Sequence, residues 1–182
     1  SNQTGTPELN KEYADSGYDA KAAYHFGELA YESQYQKDRM NTEFDAGAIT
    51  FSASVGVGFN DIGWTEIRTP YATAEAHQAV MEWAKNEYMP KIAAREGEEW
   101  MKKFVFHTTW NEYGEGHYIM PSGLNKFGYV DANRAVFSSV AGTEDKAHFD
   151  VEPTITQKKR LGTLFPNRTQ LIKRTYWIED EE

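Results

Sequence analysis

Two short apolar runs, each leading into a loop rich in glycine and aromatic residues, constrain this chain most. The first, Ala48-Ile49-Thr50-Phe51-Ser52-Ala53-Ser54-Val55-Gly56-Val57-Gly58, is small, β-branched and aromatic, which predicts a buried strand. The second, Phe104-Val105-Phe106-His107-Thr108-Thr109, predicts another. Between them Thr73 is placed to cap a helix on which Ala76, Val80, Trp83, Ala84 and Glu87 share one side, and Pro90 should kink or end that helix. Upstream, residues 28 to 46 pair Tyr31 with Tyr35 and Met40 with Phe44 at helical spacing. Downstream, Val130, Asn133, Val136, Phe137 and Val140 predict a helix over 129–140, stopped by Gly142. Strands and helices in alternation predict βαβ units with a parallel sheet.

Composition narrows the function classes. At 182 residues the chain suffices for one domain with a sizeable core. No run approaches the ~18 apolar residues of a membrane-spanning helix, and Ser1-Asn2-Gln3-Thr4-Gly5 has neither the basic nor the apolar stretch of a signal peptide. A net charge of −9 argues against a nucleic-acid partner, and Lys158-Lys159-Arg160 reads as a solvated face. Without cysteine there is no disulfide framework and no thiolate metal site. The five histidines form no HxxxH or HExxH pattern, so no metal site is expected. Aromatics are abundant, with five Trp, eleven Tyr and ten Phe; their faces suit sugar stacking as well as core packing.

The segment that carries chemistry is Trp110-Asn111-Glu112-Tyr113-Gly114-Glu115-Gly116-His117-Tyr118-Ile119-Met120-Pro121, directly after the second strand. In βα architectures the loop after a strand lies at the ligand-facing edge. Glycosidases need two carboxyl groups near one sugar, one to protonate the leaving oxygen and one to act as base or nucleophile. Glu112 and Glu115 supply such a pair, and Trp110, Tyr113 and Tyr118 supply flat surfaces for a sugar. A pair of glutamates in a loop is ordinarily solvated surface; the strand ahead of it favours the functional reading.

This segment resembles the WNEWxEGxxxEP signature of the WbsX-like proteins and of glycoside hydrolase family 99, the endo-α-mannosidase family. The run Ser54 to Asp61, with Arg68 further on, resembles the family's GWDN…R segment, and Gly128-Tyr129-Val130-Asp131-Ala132 resembles its GYLDA-like segment. Tyr113 stands for the signature's second Trp, Met120 for the Glu before Pro, and Phe59 and Asn60 for Trp and Asp. The resemblance implies an α/β fold, a (β/α)8 TIM barrel, of which residues 17–142 supply the C-terminal half and 143–182 a tail packing on the barrel; residues 1–16, polar and holding Gly5 and Pro7, read as an irregular entry segment. A complete barrel of this kind takes about 250 residues, so the first four strands are expected from the same parent chain or from a second chain.

For mechanism the resemblance implies a retaining glycosidase without a cofactor. Glu112 acts as base on the sugar's own 2-hydroxyl, giving a 1,2-anhydro sugar, and Glu115 is the acid and then the base for water. Trp110, Asn111, Tyr113, His117, Tyr118, Asn60, Asp61 and Trp64 are the residues expected around a mannose-containing or related oligosaccharide or polysaccharide, in a periplasmic or secreted setting. Two alternatives stay open: a WbsX-like protein of polysaccharide biosynthesis, and a non-catalytic carbohydrate-binding module. His107 reads as structural, Trp83 and Trp100 as helix packing, and Asp19 as a pocket or a turn residue. Asn2-Gln3-Thr4 and Asn167-Arg168-Thr169 are glycosylation sequons that matter only in a glycosylating host.

Overall fold

The structure is a computed structural model that describes residues 5–27, 29–60, 69–122 and 124–138. Asp61, Trp64, Arg68, Gly142, Lys158-Lys159-Arg160, both sequons and the 143–182 tail lie outside the described residues. The chain divides into two compact units, one through Met120 and one from Pro121.

The first unit opens with a helix, α1 (Pro7–Asp15), where an irregular segment was expected. Thr6 caps it, its hydroxyl accepting from Leu9 N at 3.2 Å, and Pro7 takes the first helical position. Thr6-Pro7-Glu8 is thus a start signal, although Gly5 and Pro7 suggested a loop. A polar knot binds α1 to its neighbours. Lys21 Nζ donates to Asn10 Oδ1 at 2.6 Å and sits 2.5 Å from Glu43 Oε2, while Glu43 Oε1 accepts from Gly5 N at 2.7 Å.

Next come β1 (Ala20–Lys21), α2 (Ser33–Ala46) and the extended segment holding β2 (Thr50–Phe51) and β3 (Ser54–Gly56). The rest of the unit comprises α3 (Ala74–Trp83), a π-turn (Ala84–Tyr88), α4 (Met89–Ala93), a 3₁₀ turn (Glu99–Lys103) and β4 (Phe106–Thr108). Both strand pairings among the described residues are parallel: Ala20 opposite Thr50 and Lys21 opposite Phe51, and Ser54 to Gly56 opposite Phe106 to Thr108. Helices alternate with these strands as expected. The strands themselves are shorter than the apolar runs.

Thr73 caps α3, accepting from Ala76 N at 3.1 Å. Its buried face runs through His77, Val80, Met81, Ala84 and Tyr88, shifted from the predicted stripe, and Glu87 is exposed. Pro90 cannot donate a backbone hydrogen bond to the preceding turn, and the helix widens to π just before it, then resumes as α4. Trp83 stacks on Tyr88 at 5.4 Å, whereas Trp100 is 40% exposed and meets Phe104 edge-on.

The core lies between the extended segment and α2, α3 and α4, with Met40, Val55, Val57, Val80, Met81 and Ile92 fully enclosed. Buried polar atoms there are spent on backbone. Gln36 Oε1 accepts from Gly56 N at 2.9 Å and its Nε2 donates to Ala30 O at 2.5 Å and Gly56 O at 3.2 Å. The Tyr88 hydroxyl lies 2.9 Å from Phe51 O and 3.1 Å from Met40 O. These bonds pin the central segment to Gln36 of α2 and Tyr88 of the π-turn.

In the second unit a tight turn pairs Ser122 with Lys126, and α5 (Gly128–Phe137) follows. The predicted helix is there. Its buried residues are Tyr129, Ala132 and Val136; among the described residues of the expected face only Val136 is buried, Phe137 is exposed, and Val140 lies outside the described residues.

Candidate active site

Residues from the segments after three different parallel strands meet at one place. Tyr24 and His25 follow β1, Phe59 and Asn60 follow β3, and Glu112 to His117 follow β4. That end of a parallel sheet is where open α/β sheets and barrels hold ligands, because strand ends present diverging loops around a crevice. Asp19 immediately precedes β1, at the opposite end of that strand from Tyr24 and His25.

The turn carrying both glutamates is built from its own backbone. Glu112 and His117 face each other across an antiparallel bridge. Thr109 closes its base: its N–H and hydroxyl donate to His117 O at 3.1 and 2.7 Å, and the same hydroxyl accepts from Glu112 N at 3.0 Å. Asn60 N–H donates to Glu115 O at 2.8 Å, tying in the loop after β3. Gly116 sits at φ 63, and a Cβ there would lie 2.6 Å from Asn60 O and 2.7 Å from Tyr71 Oη. Only glycine permits that conformation without strain and that approach.

The two carboxylates have different partners. Glu112 Oε2 accepts from the Tyr24 hydroxyl at 3.1 Å. Glu115 Oε2 lies 2.8 Å from His117 Nε2, with the histidine side chain fully buried and the glutamate side chain 34% exposed. Around them pack rings: Tyr24 meets His117 edge-on at 5.0 Å, and His25 stacks on Phe59 at 4.7 Å and lies 5.7 Å from His117. Burial pushes the Tyr24 phenol up, helped by its bond to Glu112 and the charges of Glu112 and Glu115. Burial also pushes the His25 imidazole down, with His117 adding to the shift and Glu115 opposing it.

Of the expected sugar-facing residues, Trp110 and Tyr113 are 54% and 50% exposed, and Tyr113 leans on Tyr118 at 4.5 Å, with Tyr71 6.3 Å from Tyr118. Asn111 is exposed on the same turn. Asn60 and His117 are buried instead: Asn60 Nδ2 donates to Thr69 O at 3.1 Å, and His117 lies behind Glu115. Sequence reasoning left Tyr24, His25, Tyr71 and Thr109 out of the site. Their one available signal was position, since Tyr24 and His25 follow the first strand as Glu112 follows the last.

The turn carries two acids, one accepting from a phenol and one in contact with an imidazole, and the exposed rings of Trp110 and Tyr113 belong to the same turn. Among the described residues no three histidine, aspartate or glutamate side chains come together to hold a metal ion. No described helix is long and apolar enough to cross a membrane. Comparison with protein-family models, curated proteins and solved structures finds no match for this chain.

Proposed function

We propose that this chain is the C-terminal half of a (β/α)8 glycoside hydrolase barrel, acting on a mannose-containing or related glycan with Glu112 as base and Glu115 as acid. The observation that carries this reading is the meeting of the Glu112–Glu115 turn with Tyr24 and Asn60 at the C-terminal ends of parallel strands. Paired carboxylates with aromatic surfaces beside them are what glycoside hydrolysis requires. Neighbouring-hydroxyl assistance needs only a base for the 2-hydroxyl and an acid for the leaving oxygen, both within reach of one turn. The remaining strands come from the same parent chain or a second chain. Phe106 on β4 and Phe104 just before it are 47% and 45% exposed, a surface suited to that cover.

The test is hydrolysis of α-mannosides and related oligosaccharides by the assembled protein, together with Glu112→Gln and Glu115→Gln. Each substitution should lower turnover at least about a hundredfold while glycan binding persists. Binding without turnover in the unsubstituted protein would favour a carbohydrate-binding module, and turnover only with an activated sugar donor would favour polysaccharide biosynthesis. If neither substitution changes turnover or binding of any glycan, the site is misassigned.

A further inference from the structure

Behind the proposed acid stands an imidazole with no solvent exposure and one unused nitrogen. His117 Nε2 contacts Glu115 Oε2 at 2.8 Å, and His117 Nδ1 is buried without a hydrogen bond among the described residues. The rings of Tyr24, His25 and Phe59 surround it at 5.0, 5.7 and 5.9 Å. The backbone of the pair is held from both sides, by Thr109 on His117 O and by Asn60 on Glu115 O.

This arrangement selects a tautomer. A proton on Nε2 makes the 2.8 Å contact a hydrogen bond, charge-assisted whenever Glu115 is ionised, and leaves Nδ1 a bare lone pair. A proton on Nδ1 alone would bury an N–H with no acceptor among the described residues and, with Glu115 ionised, set the Nε2 lone pair against a carboxylate oxygen, which is the costlier state.

Resting on the hydrolase reading, we propose that His117 is a positioning residue that commits Oε2 of Glu115 to a standing hydrogen bond, so that the proton exchanged with substrate is carried by Oε1. The burial contrast fits, since the imidazole is sealed while the glutamate side chain is partly open. In the first step the proton on Oε1 passes to the glycosidic oxygen as that oxygen leaves the anomeric carbon. The 2-hydroxyl gives its proton to Glu112, and its oxygen closes on the same carbon. In the second step a water oxygen bonds to the anomeric carbon and gives a proton to Oε1, while the anhydro ring opens and the 2-oxygen regains the proton from Glu112. His117 donates to Oε2 throughout and neither gains nor loses a proton.

The first experiment is ring-nitrogen NMR of the protein carrying ¹⁵N-histidine at neutral pH, with His117 assigned by His117→Gln. A neutral ring protonated on Nε2, whose shifts move in Glu115→Gln, is the expected result. A ring protonated on Nδ1, a doubly protonated ring, or indifference to Glu115→Gln overturns the proposal. On any glycan the protein turns over, His117→Phe should lower kcat at least about tenfold with KM little changed, and His117→Gln, which keeps an N–H donor, should recover most of it. Equal losses in both variants, or a change in KM alone, would also overturn it. An Nε2-protonated ring in a protein that turns over no glycan sinks the hydrolase reading and leaves the hold on Oε2 standing.

Discussion

The Tyr24 hydroxyl reaches Glu112 Oε2 at 3.1 Å across 88 residues of chain, joining the segment after β1 to the turn after β4. A phenol donating to a carboxylate stabilises its charged form and fixes its rotamer. Tyr24→Phe removes the hydroxyl alone. It should lower kcat/KM on a turned-over glycan about tenfold, and because Tyr24 is half exposed the urea midpoint should stay where it was. An unchanged kcat/KM would remove Tyr24 from the site.

Gly116→Ala should cost stability as well as activity. The φ of 63 alone costs an alanine about 1–2 kcal/mol, and the added Cβ would push on Asn60 O and the Tyr71 hydroxyl. Urea unfolding reads the first effect and glycan turnover the second. A variant as stable as the parent would mean that the turn relaxes freely, contrary to the packing described.

Two histidines outside the turn make the fold acid-sensitive. Burial, with the charge of His107 adding to it, holds His77 down to about 3, and burial holds His107 down to about 4. Both folded values lie below the ordinary value of 6.5, so as pH falls the unfolded chain takes up protons first. Their contribution to stability is complete above about pH 6.5 and shrinks as pH falls toward 4 and then 3, by about 1.4 kcal/mol per pH unit for each histidine. Urea midpoints measured from pH 7.5 to 4.5 should fall, and His77→Gln should flatten the slope. A midpoint constant from pH 7 to 5 would contradict this.

The exposed rings of Trp110 and Tyr113 should matter to oligosaccharides more than to single sugars. Trp110→Ala and Tyr113→Ala are each expected to weaken oligosaccharide binding about three- to tenfold, measured by calorimetry on the Glu115→Gln protein so that nothing is consumed. Unchanged affinity in both would leave these rings as bare surface.

Alternation of elements was legible because it rests on local rules: Thr73 caps, Pro90 interrupts, and β-branched runs extend. The α1 helix was missed because Thr6-Pro7 begins a helix as readily as a loop, and its retention depends on Asn10 and Lys21, partners that meet only in the fold. Which side of α3 turns inward was likewise set from outside, since His77 Nδ1 lies 3.3 Å from Gly56 O. In the site, the two glutamates and the exposed aromatics were legible from a contiguous run. The burial of His117 was not legible because sequence carries no burial, and Tyr24 was passed over because nothing in its neighbourhood announces a bond to residue 112.

The tether from Asn60 to Glu115 runs through backbone atoms. It is therefore indifferent to the side chain at position 60, which instead grips Thr69 O. An exchange at position 60 therefore releases Thr69 O while the donor to the carbonyl of Glu115 stays in place. Gly116 sets the opposite condition on the same contact, since a Cβ there would lie 2.6 Å from Asn60 O.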